Sequence, residues 1–256
     1  MPNLKITMIP KIIHYCWFGR NPLPPLALKC IASWKKFFPD YEIKEWNEDN
    51  FDVNMIPYTK EAYEAKKYAF VSDYARFWIL YNYGGYYFDT DVEIVKSFED
   101  IEDNIPFMGA EQKIYFKNDM YNVNPGLGLA AEKNNSIYKE ILEKYESLHF
   151  YDENGNVIPK TVCHYVSEIL ELHGLKRDNN IQKVDGITIF PADFFNPIDF
   201  VTHRMHITSR THSIHWYMAS WKKQNLLTKI KETSKKFIPE VLQRVINMLK
   251  NDRLKR

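Results

Sequence analysis

Residues Ala69 to Glu93 read AFVSDYARFWILYNYGGYYFDTDVE, and this stretch divides into an apolar helix, a glycine stop and a strand that ends in two carboxylates. Tyr74 to Tyr83 contains no proline or glycine and is dense in large apolar side chains, which predicts a buried helix. Gly84 and Gly85 end it, because glycine adopts the left-handed backbone that a helix C-terminus needs. Tyr86-Tyr87-Phe88 is extended by propensity, and Asp89-Thr90-Asp91 follows. On an extended chain alternate residues share a face, so Tyr87, Asp89 and Asp91 are predicted to point one way and Tyr86, Phe88 and Thr90 the other. Two carboxylates about 7 Å apart along a strand repel unless a cation lies between them. Hard oxygen ligands suit Mg²⁺ or Mn²⁺, and such an ion keeps places for phosphate oxygens. The expectation is a divalent metal that holds a diphosphate.

Asp73 and Arg76 are three residues apart and share a helix face. Spacing alone allows an ordinary helical ion pair. The apolar surroundings favour a site instead, because buried charges need partners or a polar ligand. Asp-x-Asp pairs are common on surfaces, but here the pair ends an aromatic strand rather than lying in a charged loop.

Ser72-Asp73-x-x-Arg76 followed by Gly84-Gly85-x-Tyr87-x-Asp89-x-Asp91 resembles the sugar-binding DXD region of glycosyltransferase family 32. Ile9-Pro10-Lys11-Ile12-Ile13-His14-Tyr15-Cys16-Trp17-Phe18-Gly19 resembles the first strand of that family, and His215-Trp216-Tyr217-Met218-Ala219-Ser220-Trp221 resembles its closing motif. The three matches span residues 9 to 221 in the expected order. The resemblance implies a GT-A fold: a Rossmann-like mixed sheet flanked by helices. It also implies transfer of a sugar with retention from a nucleotide-sugar donor, with UDP as the expected nucleotide, to a glycan acceptor in polysaccharide biosynthesis. It sets Trp17 against the nucleotide base, whereas position alone favours a core tryptophan. Asp73 and Arg76 would position the donor, beside Tyr87. Ser220 and Trp221 are candidates for diphosphate hydrogen bonds. Asp89 and Asp91 would bind Mn²⁺ or Mg²⁺, with His215 as the candidate third ligand. Asp73, Arg76, Asp89 and Asp91 are the candidate catalytic set.

The rest of the chain fits an α/β layered domain, with strands and helices alternating. Residues 9 to 18 are predicted as a buried first strand, Leu26 to Phe38 as an amphipathic helix and Tyr41 to Trp46 as a second strand. Glu61 to Lys67 reads as a charged helical lead-in, Pro106 to Glu111 as a short strand, and 112 to 124 as a loop. Asn124 to Ala131 is rich in small residues, which fits either an ordinary turn before a strand or backbone lining a pocket. Asn135 to Leu148 and Thr161 to His173 are predicted helices, Ile187 to Pro191 a late strand, and Phe194 to Pro197 an aromatic loop on the acceptor side. Ligands in such folds gather at the carboxyl ends of strands, where Trp17 and Asp89 would both lie.

Composition excludes several classes. A formal net charge of +1 argues against a general nucleic-acid binder. Cys16, Cys30 and Cys163 are odd in number and scattered, which argues against a disulfide framework and for free thiols in a reducing cytosol. There is no run of 18 apolar residues and no signal-peptide core. His203, His206, His212 and His215 form two H-x-x-H pairs, a pattern that can bind zinc, although Arg204 and Arg210 intervene.

Residues 1–221 are expected to form the catalytic domain and 222–256 a separate tail. The tail holds eleven Lys or Arg against three Asp or Glu, so the near-neutral total hides an acidic body and a basic end. Phe237, Ile238, Val241, Leu242, Val245, Ile246 and Leu249 recur at three- and four-residue spacing, an amphipathic helical pattern. Such a helix either packs on the body or docks on an anionic membrane surface, which would place the protein beside a lipid-linked glycan. The expected location is cytoplasmic, peripheral on the inner face of the membrane. Two other functions remain from sequence. One is a phosphatase of the haloacid dehalogenase type, whose nucleophile also lies in Asp-x-Asp. The other is a non-catalytic sugar- or membrane-binding module.

Overall fold

A computed structural model describes residues 8–101, 105–111, 121–199 and 204–218. The 221/222 boundary and the whole basic tail lie outside them, as do His203, Ser220 and Trp221.

The chain opens with β1 (Ile12–Cys16), α1 (Pro25–Phe37), β2 (Glu42–Trp46) and α2 (Pro57–Glu64). Pro25 stands in the first turn of α1, where its missing N–H costs nothing. α3 (Tyr68–Tyr83) is longer than its apolar run predicts, because it already starts six residues before Tyr74. The charged stretch before it is not one helix. α2 ends at Glu64, and Lys66 takes a left-handed φ of 57° that separates the two helices without a glycine to announce the break.

Gly84 caps α3 at φ 66°, as predicted. Gly85 follows at φ 105°, and a Cβ there would stand 2.7 Å from the Ile12 carbonyl oxygen. The bare backbone is what lets β3 (Gly85–Tyr87) lie beside β1. Next come β4 (Val92–Ile94), β5 (Phe107–Gly109), β6 (Leu129–Ala131), α4 (Ser136–Glu146) and α5 (Val162–Leu172). The chain continues through β7 (Gln182–Val184), β8 (Ile187–Phe190), α6 (Ala192–Phe195) and β9 (Ser213–His215). Asn135 caps α4 by accepting the Ile137 and Tyr138 N–H groups.

Seven strands form one mixed sheet in the order β2-β1-β3-β6-β5-β8-β7. β1 pairs parallel with β2 and β3, and β5 parallel with β8, while β6 and β7 run antiparallel to their neighbours. This is the helix-flanked mixed α/β sheet that the resemblance implied. β4 and β9 form a separate two-stranded ribbon. Because β1, β3 and β5 point the same way, Trp17, Asp89 and Glu111 all follow the carboxyl ends of strands on one edge of the sheet, where α/β folds collect ligands.

Each sheet face has its own core. Tyr87, Met108 and Leu129 pack with α3, α4 and α5 on one side. Ile13, Phe88 and Phe107 pack with Trp34 of α1 and Phe195 of α6 on the other. Phe194 and Phe195 therefore do not rim an acceptor site. Both are buried in α6, and Phe195 stacks on Phe107 at 5.3 Å. Cys16 and Cys30 are buried free thiols, and Cys163 is a half-buried one.

A carboxylate and histidine cluster at the sheet edge

β3 delivers the first part of the site. Tyr87 and Asp89 share a face, and the Tyr87 hydroxyl donates to Asp89 Oδ1 at 3.1 Å. The extended geometry then stops. Thr90 and Asp91 lie in a turn, closed by the Val92 N–H donating to the Asp89 carbonyl at 3.0 Å. Strict strand alternation is thus corrected for Asp91: a turn, not a pleat, brings its carboxylate round beside that of Asp89.

The ribbon completes the cluster. Val92 stands opposite His215 in the β4–β9 pair, so the histidine arrives one residue from Asp91. His215 Nε2 is 3.1 Å from Asp91 Oδ1 and 3.9 Å from Asp89 Oδ2. Ligand atoms of Asp89, Asp91 and His215 all lie within 4.8 Å of one another, and this is the only such group among the described residues. The segment after His215 grips Asp91 twice more. Trp216 N–H donates to its carbonyl at 3.0 Å, and Met218 N–H donates to its Oδ2 at 2.7 Å. Tyr217, between them, takes a left-handed φ of 50°, a strained state for an aromatic residue. Its ring meets His215 edge-on at 4.3 Å.

Arg76 sits beneath the carboxylates. It is buried, and its Nη2 lies 3.0 Å from Asp73 Oδ1 and 3.3 Å from Asp89 Oδ1. Its Nε donates to the Ser72 carbonyl, and its guanidinium lies 5.1 Å from the centre of the Tyr87 ring. The pair that spacing allowed as a simple helical salt bridge is therefore a buried network joining α3 to the end of β3. Burial pushes the Asp73 carboxyl well up, with Arg76 opposing and Asp89 adding to the rise. Burial likewise raises Asp89. Burial also pushes on Asp91, but His215 and the Met218 N–H outweigh it and hold that carboxyl below its ordinary value. Burial would lower His215, yet Asp91 and Asp89 together raise it. The cluster thus gathers three carboxyl groups, of Asp73, Asp89 and Asp91, around one guanidinium and one imidazole.

A half-buried carboxylate, a buried carboxylate and a buried imidazole fit a divalent cation: the oxygens suit Mg²⁺ or Mn²⁺, and the nitrogen suits a softer ion than Mg²⁺. His215 Nδ1 is buried without a hydrogen-bond partner among the described residues, while its Nε2 faces Asp91 Oδ1 at 3.1 Å.

The zinc pattern of four histidines is not realised. His212 Nδ1 contacts the Ser97 carbonyl at 2.7 Å with its ring stacked on Phe194, while His206 is exposed on a loop. Among the described histidines only His215 reaches carboxylates of the DXD pair. The phosphatase reading also loses ground, because the cation that meets Asp89 is the arginine of α3 and not a lysine. Trp17 lies half-buried just past β1, and its indole N–H donates to the Asn21 carbonyl at 2.6 Å.

Gly126 closes the cluster from the β6 side. Its carbonyl accepts the Asp89 N–H at 3.3 Å, and a Cβ there would fall 2.2 Å from Asp89 Oδ2. The small-residue stretch thus packs on the carboxylate itself. Glu111, read from sequence only as a strand end, also faces this edge. Asn122 and Asn124 donate to its two oxygens at 3.4 and 3.1 Å. The signal that could have found it is an acidic residue directly after the apolar run Pro106 to Ala110.

The family model for "Glycosyltransferase sugar-binding region containing DXD motif" matches residues 24–108, which run from the start of α1 through β5. The chain thus carries a DXD-type glycosyltransferase sugar-binding region, and Asp89-Thr90-Asp91 is its DXD. Two curated relatives come from Schizosaccharomyces pombe. Inositol phosphoceramide mannosyltransferase 3 is 35% identical over 88 residues, 33% of this chain and 24% of that protein. Inositol phosphoceramide mannosyltransferase 1 is 26% identical over 129 residues, 46% of this chain and 39% of that protein. The chain therefore aligns with about a quarter to two fifths of the length of these relatives. Among solved structures, PaToxG Glycosyltransferase superposes with a TM-score of 0.49 at 20% identity, over 64% of this chain and 70% of that one.

Proposed function

We propose that this protein is a metal-dependent glycosyltransferase that moves a sugar from a nucleoside-diphosphate sugar to a glycan acceptor, and that Asp89, Asp91 and His215 hold the ion. The convergence of these three side chains at the sheet edge carries the reading. Mn²⁺ suits the mixed oxygen and nitrogen donors better than Mg²⁺. When bound, the ion supplies Lewis-acid stabilisation of the departing diphosphate.

The chain's own residues do the rest. Arg76, fixed between Asp73 and Asp89, holds the metal-binding carboxylate in place and keeps a buried positive charge behind it. Trp17, at the end of β1, offers an aromatic face to the base. Tyr87 orients Asp89 through its hydroxyl. Asp73 and Arg76 lie close enough to the cluster to act on the donor, and Ser220 and Trp221, outside the described residues, are assigned to the diphosphate by the resemblance. The acceptor hydroxyl attacks the anomeric carbon from the face on which the sugar–phosphate bond breaks and passes its proton to the departing phosphate oxygen, which gives retention without a covalent intermediate.

The resemblance favours a UDP-sugar, while the two curated relatives are named for mannose and for a phosphoceramide acceptor. A lipid-borne acceptor agrees with a basic tail that docks on an anionic membrane, each basic residue contributing on the order of 1 kcal/mol there. No described helix is long and apolar enough to cross a membrane. Purified protein incubated with UDP- and GDP-sugars, with Mn²⁺ or with EDTA, is expected to release nucleoside diphosphate from one donor and to stop when the metal is chelated. Release of phosphate from simple phosphomonoesters, with no release from any nucleotide sugar, would overturn the reading.

A further inference from the structure

The order of strands at the sheet edge carries a further assignment, which rests on the transferase reading. β1, β3, β6 and β5 are successive neighbours. Trp17 follows β1, the DXD follows β3, and Glu111 follows β5. Neighbouring strands are about 4.8 Å apart, so these groups are spread along the edge in a line, with the metal cluster in the middle. A nucleoside diphosphate whose base lies on Trp17 and whose phosphates lie on the cluster must extend its sugar toward β6 and β5.

Glu111 stands at that end of the edge, directly after β5. The β5 strand is held there by two bonds: the Glu111 N–H donates to the Asn122 carbonyl at 2.8 Å, and the Asn124 N–H to the Gly109 carbonyl at 2.9 Å. The carboxylate is fixed by amides on both oxygens. Those amides are themselves anchored. Asn124 Oδ1 accepts the Gly126 N–H at 2.8 Å, and Asn122 Oδ1 accepts from Arg177 Nη1 at 2.9 Å. Glu111 is thus tied through Asn124 and Gly126 to the backbone of Asp89, and its charge is felt by His215. It is only partly covered, while Asn122 and Asn124 behind it are buried. A carboxylate has about four lone-pair sites, and the two amides use two of them. Among the described residues these two amides are the side-chain donors to Glu111, and a preorganised, half-buried acceptor with lone pairs beyond them is suited to sugar hydroxyls.

We propose that Glu111 binds hydroxyls of the transferred sugar and so sets which sugar is accepted, while contributing nothing to the nucleotide. A site built to hydrogen-bond a hydroxyl rejects ligands that lack it or misplace it by large factors.

The test separates nucleotide from sugar. Wild type, Glu111→Ala, Glu111→Gln and Glu111→Asp are titrated calorimetrically with UDP and with GDP in Mn²⁺. Nucleoside diphosphate release is then measured on UDP-glucose, UDP-galactose, UDP-N-acetylglucosamine and GDP-mannose. Glu111→Ala and Glu111→Gln are expected to keep nucleotide affinity within about twofold and to lose at least tenfold in kcat/KM on the preferred donor, with weaker preference among sugars. Glu111→Asp is expected to retain part of both. Unchanged turnover and selectivity in Glu111→Ala overturns the assignment. So does a parallel loss of nucleotide affinity and turnover, which marks a structural role. If wild type binds neither nucleotide in Mn²⁺, the transferase reading fails first and this assignment with it.

Discussion

At the scale of single residues, the informative feature is how few groups the site lets stand alone. Asp89 meets Arg76, Tyr87 and His215; Asp91 meets His215 and the Met218 N–H. Each carboxylate is thus aimed by a group that would lose its own partner if the carboxylate were removed. Asp89→Asn keeps the shape but removes the charge that faces the ion. It is expected to cut turnover by roughly 10²-fold or more, on the scale of other charge-stabilising groups, and to weaken Mn²⁺ binding measured by electron paramagnetic resonance. Wild-type turnover in Asp89→Asn would sink the metal role. Sequence could bring Asp73, Arg76, Asp89 and Asp91 forward because charges inside an apolar run stand out. It could not show that Arg76 reaches Asp89, since that contact joins a helix to a strand end thirteen positions on. Glu111 stayed hidden for the converse reason. One acidic residue after a short strand has no local peculiarity, and only the strand order gives it a neighbour.

At the scale of elements, the glycine stop and the aromatic strand after it were legible because each rests on local chemistry: a left-handed cap and β-propensity. The turn through Thr90 and Asp91 was not, because alternation assumes that the strand continues. β9 was also missed. Three residues carry little period, and Ser213–His215 is extended because β4 lies beside it. The long-range pairing that makes β9 a strand is the same one that delivers His215. β6 contributes in a comparable way through the turn before it, where Gly126 touches Asp89. A methyl group at that position would stand 2.2 Å from Asp89 Oδ2 and 3.1 Å from Asn124 Oδ1, so the Asp89 carboxylate must move. Gly126→Ala is therefore expected to weaken Mn²⁺ binding at least tenfold, while costing about 1–3 kcal/mol of stability as an overpacked site. Equal Mn²⁺ affinity in Gly126→Ala and wild type would show that the ion does not depend on where Asp89 is held.

At the scale of the whole molecule, the two cores are divided by the sheet, and His14 of β1 pins its β2 end. The ring is fully buried. Its Nε2 lies 3.0 Å from the Gly84 carbonyl, which can only accept, and Trp46 Nε1 donates to its Nδ1 at 3.0 Å. The two contacts together require the neutral ring with its proton on Nε2. One histidine thereby ties β1, the end of β2 and the cap of the central helix. Burial drives its pKa down to about 4, with the Gly84 carbonyl opposing and Lys44 adding to the fall. The unfolded chain has an ordinary histidine near pH 6.5. Between these values the unfolded state binds more protons than the folded one, so stability rises with pH across that window. The contribution is complete above about pH 6.5 and drains away as the pH falls toward 4. A gap of this size corresponds to roughly 3 kcal/mol, a large share of the ~5–15 kcal/mol that holds a domain together. Urea unfolding midpoints taken from pH 7.5 to 4.5 are expected to fall for wild type and to fall less steeply for His14→Gln, which cannot take up a proton. Parallel profiles for the two proteins would mean that His14 is not held neutral in the folded sheet.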